Sequence, residues 1–147
     1  MVDSLRTDEL NETLELFFFA YREFTAYPDR VLRERGLQRV HHRILYFVGR
    51  NPGISVNGLL GVLGVSKQAL HGPLRHLAEK HLVDIGVAEH DRRGRELRLT
   101  EQGASLEAAL SGSQRERMAA IFEEVGPEAE AAWREVMAHV ARADATD

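Results

Sequence analysis

The sequence predicts a mainly α-helical fold that contains one small β-hairpin. Apolar residues recur at helical spacing along most of the 147-residue chain, and two short segments in its middle alternate apolar and polar residues as strands do. Stretches that contain glycine or proline separate these segments. The chain is long enough to bury a core without disulfides, and its lack of cysteine excludes thiol redox chemistry and cysteine-ligated zinc.

The first third of the chain is predicted to be helical. Its apolar residues follow the i, i+3, i+4 spacing at Leu10, Leu14, Phe17, Phe18, Tyr21 and Phe24. Leu16 and Phe19 widen this stripe beyond one core face, so we expect a second subunit to cover part of it. Pro28 is expected to kink or end the helix near Tyr27, and a further turn ends at Gly36.

A helix-turn-helix pattern occupies the middle of the chain. Ser55 is expected to cap a short helix over residues 56–63, because its hydroxyl can accept a hydrogen bond from a first-turn amide. Gly64 lies in a tight link, after which Ser66 is expected to cap a second helix over residues 67–80. Two short helices joined by a glycine-containing turn are typical of this motif.

Two segments with a two-residue repeat follow the second helix. Val83, Ile85 and Val87 alternate with polar or small residues, and so do Leu97 and Leu99. The charged stretch between them is predicted to form the tip of a β-hairpin. A hairpin directly after a helix-turn-helix makes a winged helix-turn-helix, so this is the predicted fold of the central domain.

The C-terminal third is predicted to be helical as well. Thr100 is expected to cap a helix that ends near Glu124, and Gly126-Pro127 separates it from a last helix. We expect the winged helix-turn-helix to lie between N- and C-terminal dimerisation helices. The N-terminal dimerisation region is predicted to be residues 1–36, the DNA-binding domain residues 37–100 and the C-terminal dimerisation region residues 101–147.

Positive charge is concentrated in the middle of an otherwise acidic chain. The formal net charge is −4, yet residues 30–100 contain 13 Lys and Arg against 6 Asp and Glu. Residues 1–29 contain 2 Lys and Arg against 7 Asp and Glu, and residues 101–147 contain 4 Lys and Arg against 10 Asp and Glu. A basic centre between acidic ends predicts a polyanionic partner, such as double-stranded DNA, for the centre alone.

The string DRRGRELRLTEQG, from Asp91 to Gly103, resembles the wing of the MarR family of bacterial transcription regulators, with Leu97 in place of the usual valine. The segment PGISVNGLLGVLGVSKQAL resembles the helix-turn-helix of the same family, so the similarity extends from about Arg39 to Gly103. The family often has glycine after the second helix, where this chain has His81, which would have to accept a left-handed conformation. The resemblance implies a homodimeric repressor that binds a pseudo-palindromic operator.

The second helix and the hairpin tip carry the residues that we expect to contact DNA. Glutamine can pair with adenine and arginine with guanine in the major groove, and tip arginines can enter the minor groove. The predicted contact residues are Ser66, Lys67, Gln68, His71, Arg75, Arg92, Arg93 and Arg95. The resemblance implies that Asp91 pairs with a wing arginine. Gly72-Pro73 predicts a local kink, which is either merely tolerated or lets the backbone approach DNA.

The resemblance also implies regulation by a small molecule, often an aromatic or phenolic acid. The candidate ligand-binding residues are Tyr21, His41, His42, Arg43 and Tyr46. A guanidinium or an imidazole can bind a carboxylate, and aromatic side chains can line the space around it. The alternative is that the aromatic residues belong to the core and that the histidines are exposed or already hydrogen-bonded.

Other functions have less support in the sequence. A metal-responsive regulator would need clustered ligands, but His71, His76 and His81 are each five residues apart and no carboxylate cluster accompanies them, so no metal or cofactor is predicted. No nucleophile elbow or phosphate-binding glycine loop indicates an enzyme. A winged helix that binds only protein is disfavoured by the arginine-rich tip. The polar start of the chain and its short apolar runs predict a cytoplasmic protein.

Overall fold

Six α-helices and three short strands make up the part of the chain that the computed structural model describes, which is residues 3–87 and 94–142. The mainly α-helical prediction with a small β-hairpin is therefore confirmed. In chain order the elements are α1 (Ser4–Glu34), α2 (Arg39–Arg50), β1 (Ile54–Ser55), α3 (Val56–Leu63), α4 (Lys67–Glu79), β2 (Val83–Val87), β3 (Arg95–Leu99), α5 (Glu101–Val125) and α6 (Pro127–Ala141). The chain divides into two compact units, Met1–Gly112 and Ser113–Asp147.

Helix α1 is longer than the sequence predicted. It begins after Asp3, whose carboxylate accepts a hydrogen bond from the Arg6 amide at 2.8 Å, and it runs without a break to Glu34. The helix therefore does not end near Tyr27, and the alternative expectation of a kink at Pro28 stays a prediction. Pro28 removes one intrahelical hydrogen bond, but its ring is buried within the first unit, and this packing offsets the loss.

The core of the first unit is built around α2. Its apolar side chains recur at helical spacing, and Ile44, Leu45 and Val48 are buried where α2 meets α3, α4 and β3. Removing this apolar surface from water is the main contribution to the stability of the unit. The largest fully buried side chains are Leu32, Ile44, Leu45, Val48, Leu59, Leu70, Leu77, Val83, Leu97 and Leu110.

The predicted helix-turn-helix is present with the predicted caps. The Ser55 hydroxyl accepts a hydrogen bond from the Gly58 amide at 2.9 Å, and the Ser66 hydroxyl accepts one from the Ala69 amide at 3.1 Å. Gly64 ends α3 in a left-handed conformation with φ of 65°. Glycine adopts this conformation without the steric cost of a Cβ, so the chain can turn sharply between the two helices.

The three strands form one antiparallel sheet in the order β1-β3-β2. The two-residue strand β1, where Ile54 pairs with Leu97, was not predicted from the sequence. In β2 only Val83 is buried, whereas Ile85 and Val87 are 42% and 58% exposed. The alternation predicted the strand correctly but not its burial, because the outer part of β2 extends beyond the helices that cover its start.

A close contact joins the end of α4 to the start of α5. His81 adopts the predicted left-handed conformation, with φ of 59°, and its carbonyl accepts a hydrogen bond from the Thr100 hydroxyl at 2.7 Å. The same hydroxyl accepts from the Gly103 amide at 2.9 Å, which confirms the predicted cap of α5. A Cβ at Gly103 would overlap the Leu82 carbonyl oxygen and lie 2.9 Å from its carbonyl carbon.

Replacing Gly103 with alanine is therefore expected to lower the free energy of unfolding by about 1–3 kcal/mol, because the backbone of two elements would have to move apart. Gly112 lies in the same helix with open space around the position of a Cβ. Gly112→Ala should instead raise stability by about 0.5–1 kcal/mol through helix propensity. Urea denaturation of both variants tests the contact, and equal stability of the two would contradict it.

Candidate nucleic-acid interface

Helix α4 is fixed by leucines on one face. Leu70, Leu74 and Leu77 lie at i, i+4 and i+7, and all three are buried in the first unit. At the other end of the helix, the Lys80 ammonium donates a hydrogen bond to the Arg35 carbonyl, which follows α1, at 2.8 Å. The packed face and this end contact determine which side of α4 points to solvent.

The opposite side of α4 presents polar groups to solvent. The predicted contact residues Lys67, Gln68, His71 and Arg75 are all exposed, and Glu79 is exposed beside them. The Arg75 Nε lies 3.2 Å from a Glu79 carboxylate oxygen, with both side chains more than 65% exposed. A pair this exposed is worth at most about 1 kcal/mol, so Arg75 can exchange the carboxylate for another acceptor at little cost.

Ser66 differs from the other predicted contact residues. Its side-chain oxygen is engaged in the cap of α4, and the helix begins at the next residue. The amides of the first helical turn have no acceptor within the helix, and the helix dipole favours negative charge near them. The start of α4 is therefore suited to phosphate. The Ser66 hydroxyl contributes by capping the helix, because it already accepts a hydrogen bond from the Ala69 amide.

The hairpin after α4 forms the predicted wing, which we define as β2 and β3. Its outermost described pair is Val87 with Arg95, and the Arg95 side chain is exposed. Arg92 and Arg93 lie outside the described residues, as does the ion pair expected for Asp91. The predicted contacts of the wing tip therefore stay predictions.

Arg98 lies on the wing but belongs to the sheet. Its guanidinium is 3.6 Å from a Glu96 carboxylate oxygen and covers Gly53, where an added Cβ would come within 3.0 Å of Nη2. Arg98 is therefore an outward-facing strand residue that is exposed. The guanidinium contacts the loop before β1, close to where Gly53 donates a hydrogen bond to the Leu97 carbonyl.

The predicted ligand-binding residues are distributed over several contacts. The Arg43 guanidinium donates a hydrogen bond to the Tyr21 hydroxyl at 2.9 Å, so these two residues lie together between α1 and α2. Tyr46 stacks edge-on against Phe47 within α2. Of the five predicted residues, Tyr21 and Arg43 therefore form the pair that combines an aromatic ring with a cationic group.

The two adjacent histidines of α2 face different elements. His41 is buried, its Nδ1 accepts a hydrogen bond from the Gln38 amide at 2.8 Å, and its ring meets that of His76 on α4 at 5.2 Å. His42 Nε2 lies 3.0 Å from the Ser111 hydroxyl on α5. Burial lowers the pKa of both His41 and His42 below the ordinary histidine value, so both rings favour the neutral form.

An ion pair that the sequence analysis missed also joins α1 to α2. The Arg39 guanidinium binds the Asp29 carboxylate through two nitrogens, at 2.8 and 3.1 Å, and lies over the Tyr21 ring. Hydrogen bonding to Asp29 raises the pKa of Arg39 above its ordinary value. The pair lines an open groove of about 320 Å³. Residues ten apart across a helix junction have no sequence periodicity that would reveal such a contact.

Among residues 3–87 and 94–142, no group of three or more histidine, cysteine, aspartate or glutamate side chains is placed to hold a metal ion. In the same part of the chain, no helix is both long and apolar enough to cross a membrane.

Comparison with known proteins places these features in context. Residues 35–94 match the sequence model of the MarR family. The chain is 47% identical over 133 residues to the HTH-type transcriptional regulator PetP of Rhodobacter capsulatus, which covers 90% of this chain and 80% of the relative. The fold of this chain is similar to that of Streptococcus pneumoniae FabT in complex with DNA, with a TM-score of 0.79 and 18% sequence identity. The match covers 91% of this chain and 94% of the FabT chain. It is also similar to NadR in complex with 4-hydroxyphenylacetate, with a TM-score of 0.71, 22% identity and coverage of 87% and 91%.

Proposed function

The chain belongs to the MarR family of transcriptional regulators and binds DNA, and we propose that it does so as a homodimer that represses transcription from a pseudo-palindromic operator. In this proposal α4 of each subunit lies in the major groove and each wing lies along the neighbouring minor groove. The two half-sites are then separated by about one turn of DNA, roughly 10 base pairs. The proposed site of action is the cytoplasm, where the operator DNA of a bacterial regulator lies.

The exposed polar face of α4 is the observation that carries the proposal. Gln68 and Arg75 are seven residues apart, or two helical turns, so both project from the side opposite the buried leucines. Glutamine recognises adenine and arginine recognises guanine through pairs of hydrogen bonds. Lys67, at the start of the helix, adds a positive charge where the helix dipole already favours phosphate.

The family assignment also bears on the other classes of function. Regulators of this family are non-enzymatic DNA-binding proteins, which agrees with the lack of a catalytic motif in the sequence. A winged helix that binds only protein is the less favoured alternative for the same reason. A metal-responsive regulator has no support from side-chain geometry within residues 3–87 and 94–142, because no ligand cluster is found there.

The apolar surface of α1 supports the homodimer. Leu14 and Phe18 are 67% and 64% exposed, and they share one side of the helix with Leu10, Phe17 and Tyr21. A continuous apolar surface of this kind is rare on a monomer and is typical of an interface. The second unit, considered by itself, exposes apolar side chains on α6 at Trp133, Val136 and Val140. A second copy of the chain covers such surfaces in the proposed dimer.

The proposed effector is a small aromatic acid that releases the repressor from DNA. Arg43 supplies an exposed guanidinium that can bind a carboxylate, and Tyr21 supplies an adjoining ring and hydroxyl. The proposal is also supported by the binding of 4-hydroxyphenylacetate to NadR, whose fold is similar. The groove beside Asp29 and Arg39 lies in the same region between α1 and α2, since Arg39 contacts Tyr21 as well.

Substitution of the α4 side chains tests DNA recognition. A preferred sequence is first selected from a random DNA pool with the wild-type protein. Arg75→Ala and Gln68→Ala should each weaken binding to that sequence by about 1–3 kcal/mol, because each removes contacts to base edges. Glu79→Gln is the matched control and should not weaken binding, since it only frees Arg75 from its partner.

The salt dependence of the same titrations tests the electrostatic contribution. The logarithm of the association constant should fall linearly with the logarithm of salt concentration, with a slope of about −0.9 for each phosphate that is neutralised. Arg75 and Gln68 variants that bind like the wild type, together with a flat salt response, would contradict the proposed interface.

Introducing charge on α1 tests the homodimer. Leu14→Lys should raise the dissociation constant of the dimer about 100-fold, because two copies of a leucine lose a burial worth about 1.5 kcal/mol each. Glu12→Lys is the control, since it places the same charge on another side of the helix. Analytical ultracentrifugation measures both. A wild-type protein that stays monomeric at micromolar concentration would rule the homodimer out.

The effector proposal is tested with 4-hydroxyphenylacetate and related aromatic acids. An acid that binds should raise the thermal midpoint of the free protein and lower its affinity for the selected DNA. Arg43→Gln should abolish both effects while Arg50→Gln, an exposed charge change in the same helix, should preserve them. If none of the acids shifts either measurement, an aromatic acid is not the effector.

A further inference from the structure

Gly72 on α4 has no evident structural reason to be glycine. It lies in the interior of a continuous helix and is not among the described glycines with positive φ, which are Gly36, Gly53, Gly64 and Gly126. A Cβ at this position would meet nothing within 4 Å, apart from the helix itself and the adjoining residues. Glycine inside a helix costs about 1 kcal/mol relative to alanine, so the position is less stable than it needs to be.

The following proline does not account for the glycine either. A Cβ on the residue before proline is crowded by the proline ring when the backbone is helical. In α1, however, Tyr27 precedes Pro28 within a helix that continues to Glu34. A large side chain before proline is therefore accommodated in a helix of this same molecule, and Pro73 alone does not require Gly72.

Gly72 is located at the centre of the polar face. It follows Gln68 by four residues and precedes Arg75 by three, so one helical turn separates it from each. All three positions are exposed. A side chain at position 72 would therefore project from the surface between the two groups that are expected to bond to base edges.

We propose that Gly72 is a DNA-contact position at which the bare helix backbone lies directly against the base pairs, and that it thereby sets the depth of α4 in the major groove. The inference rests on the proposed function, in which α4 occupies that groove. Nonbonded heavy atoms need about 3.5–4.0 Å between them, so a Cβ would hold the helix away from the bases. Hydrogen bonds to base edges require about 2.7–3.2 Å, so Gln68 and Arg75 would then fall short of their partners.

Substitution of Gly72 separates stability from recognition. Gly72→Ala should raise the midpoint of urea denaturation and should lower the affinity for the selected DNA sequence at least ten-fold. Binding to random DNA at low salt should stay within about two-fold, because phosphate contacts carry it. Gly112→Ala, another helical glycine with open space at its Cβ, should raise the midpoint and leave both affinities unchanged.

The Pro73→Ala background removes the crowding before proline. Pro73→Ala alone should bind the selected DNA with an affinity within about three-fold of the wild type. Adding Gly72→Ala to it should lower that affinity at least ten-fold. If the double variant binds as Pro73→Ala does, crowding explains the glycine and the proposal is overturned. Equal or tighter specific binding by Gly72→Ala also overturns it.

The α4 variants separate this inference from the function on which it rests. Loss of specific binding in Gln68→Ala and Arg75→Ala with no loss in Gly72→Ala would retain the proposed interface and reject the role of Gly72. Unchanged binding in all three variants would reject both. Loss in all three, with the stability of Gly72→Ala raised, is the result expected.

Discussion

The close packing of α5 against the residues that follow α4 is the constraint on which the rest of the first unit depends. Thr100 bonds at once to the His81 carbonyl and to the first turn of α5, and Gly103 leaves no room between α5 and Leu82. The end of α4, the base of the wing and the start of α5 are thereby fixed relative to one another. The proposed docking of α4 and the wing in two neighbouring grooves of DNA needs such a rigid joint, because an error of about 1 Å exceeds the tolerance of a hydrogen bond.

Because these contacts hold α4 in place, the fold does not depend on the side chains of its polar face. The leucines hold the helix, the Ser66 hydroxyl satisfies its first turn, and the Lys80 ammonium ties its end to the Arg35 carbonyl. Arg75 is engaged by Glu79 through an exposed contact that DNA can replace. The excess of positive charge lies within residues 30–100, whereas the segments before and after them are acidic, so those end segments are expected to repel polyanions.

The same unit provides a physical connection between α1 and α4. Arg39 joins α2 to Asp29 on α1, while His41, two residues further along α2, meets His76 on α4. Burial lowers the pKa of His41, so its neutral ring can accept a hydrogen bond from the Gln38 amide and pack against the His76 ring. In the proposed function, a ligand or a second subunit that displaced α1 would therefore act on α2 and, through α2, on α4. Chains of packed side chains are one physical route by which two sites can be coupled.

Local chemistry made much of this protein predictable from its sequence alone. The caps at Ser55, Ser66 and Thr100 follow from interactions within a few residues, and the strands of the wing follow from a two-residue repeat, so both patterns appear in the chain itself. The left-handed His81 was expected from the resemblance to the MarR family, which often has glycine at this position. Tertiary packing decided the rest: that α1 continues through Pro28, that β1 pairs with β3, that Ile85 and Val87 face solvent, and that Arg39 binds Asp29. These features depend on which distant segments meet. Burial can outweigh a local preference such as that of proline, and a contact between segments distant in the chain has no local spacing by which the sequence would reveal it.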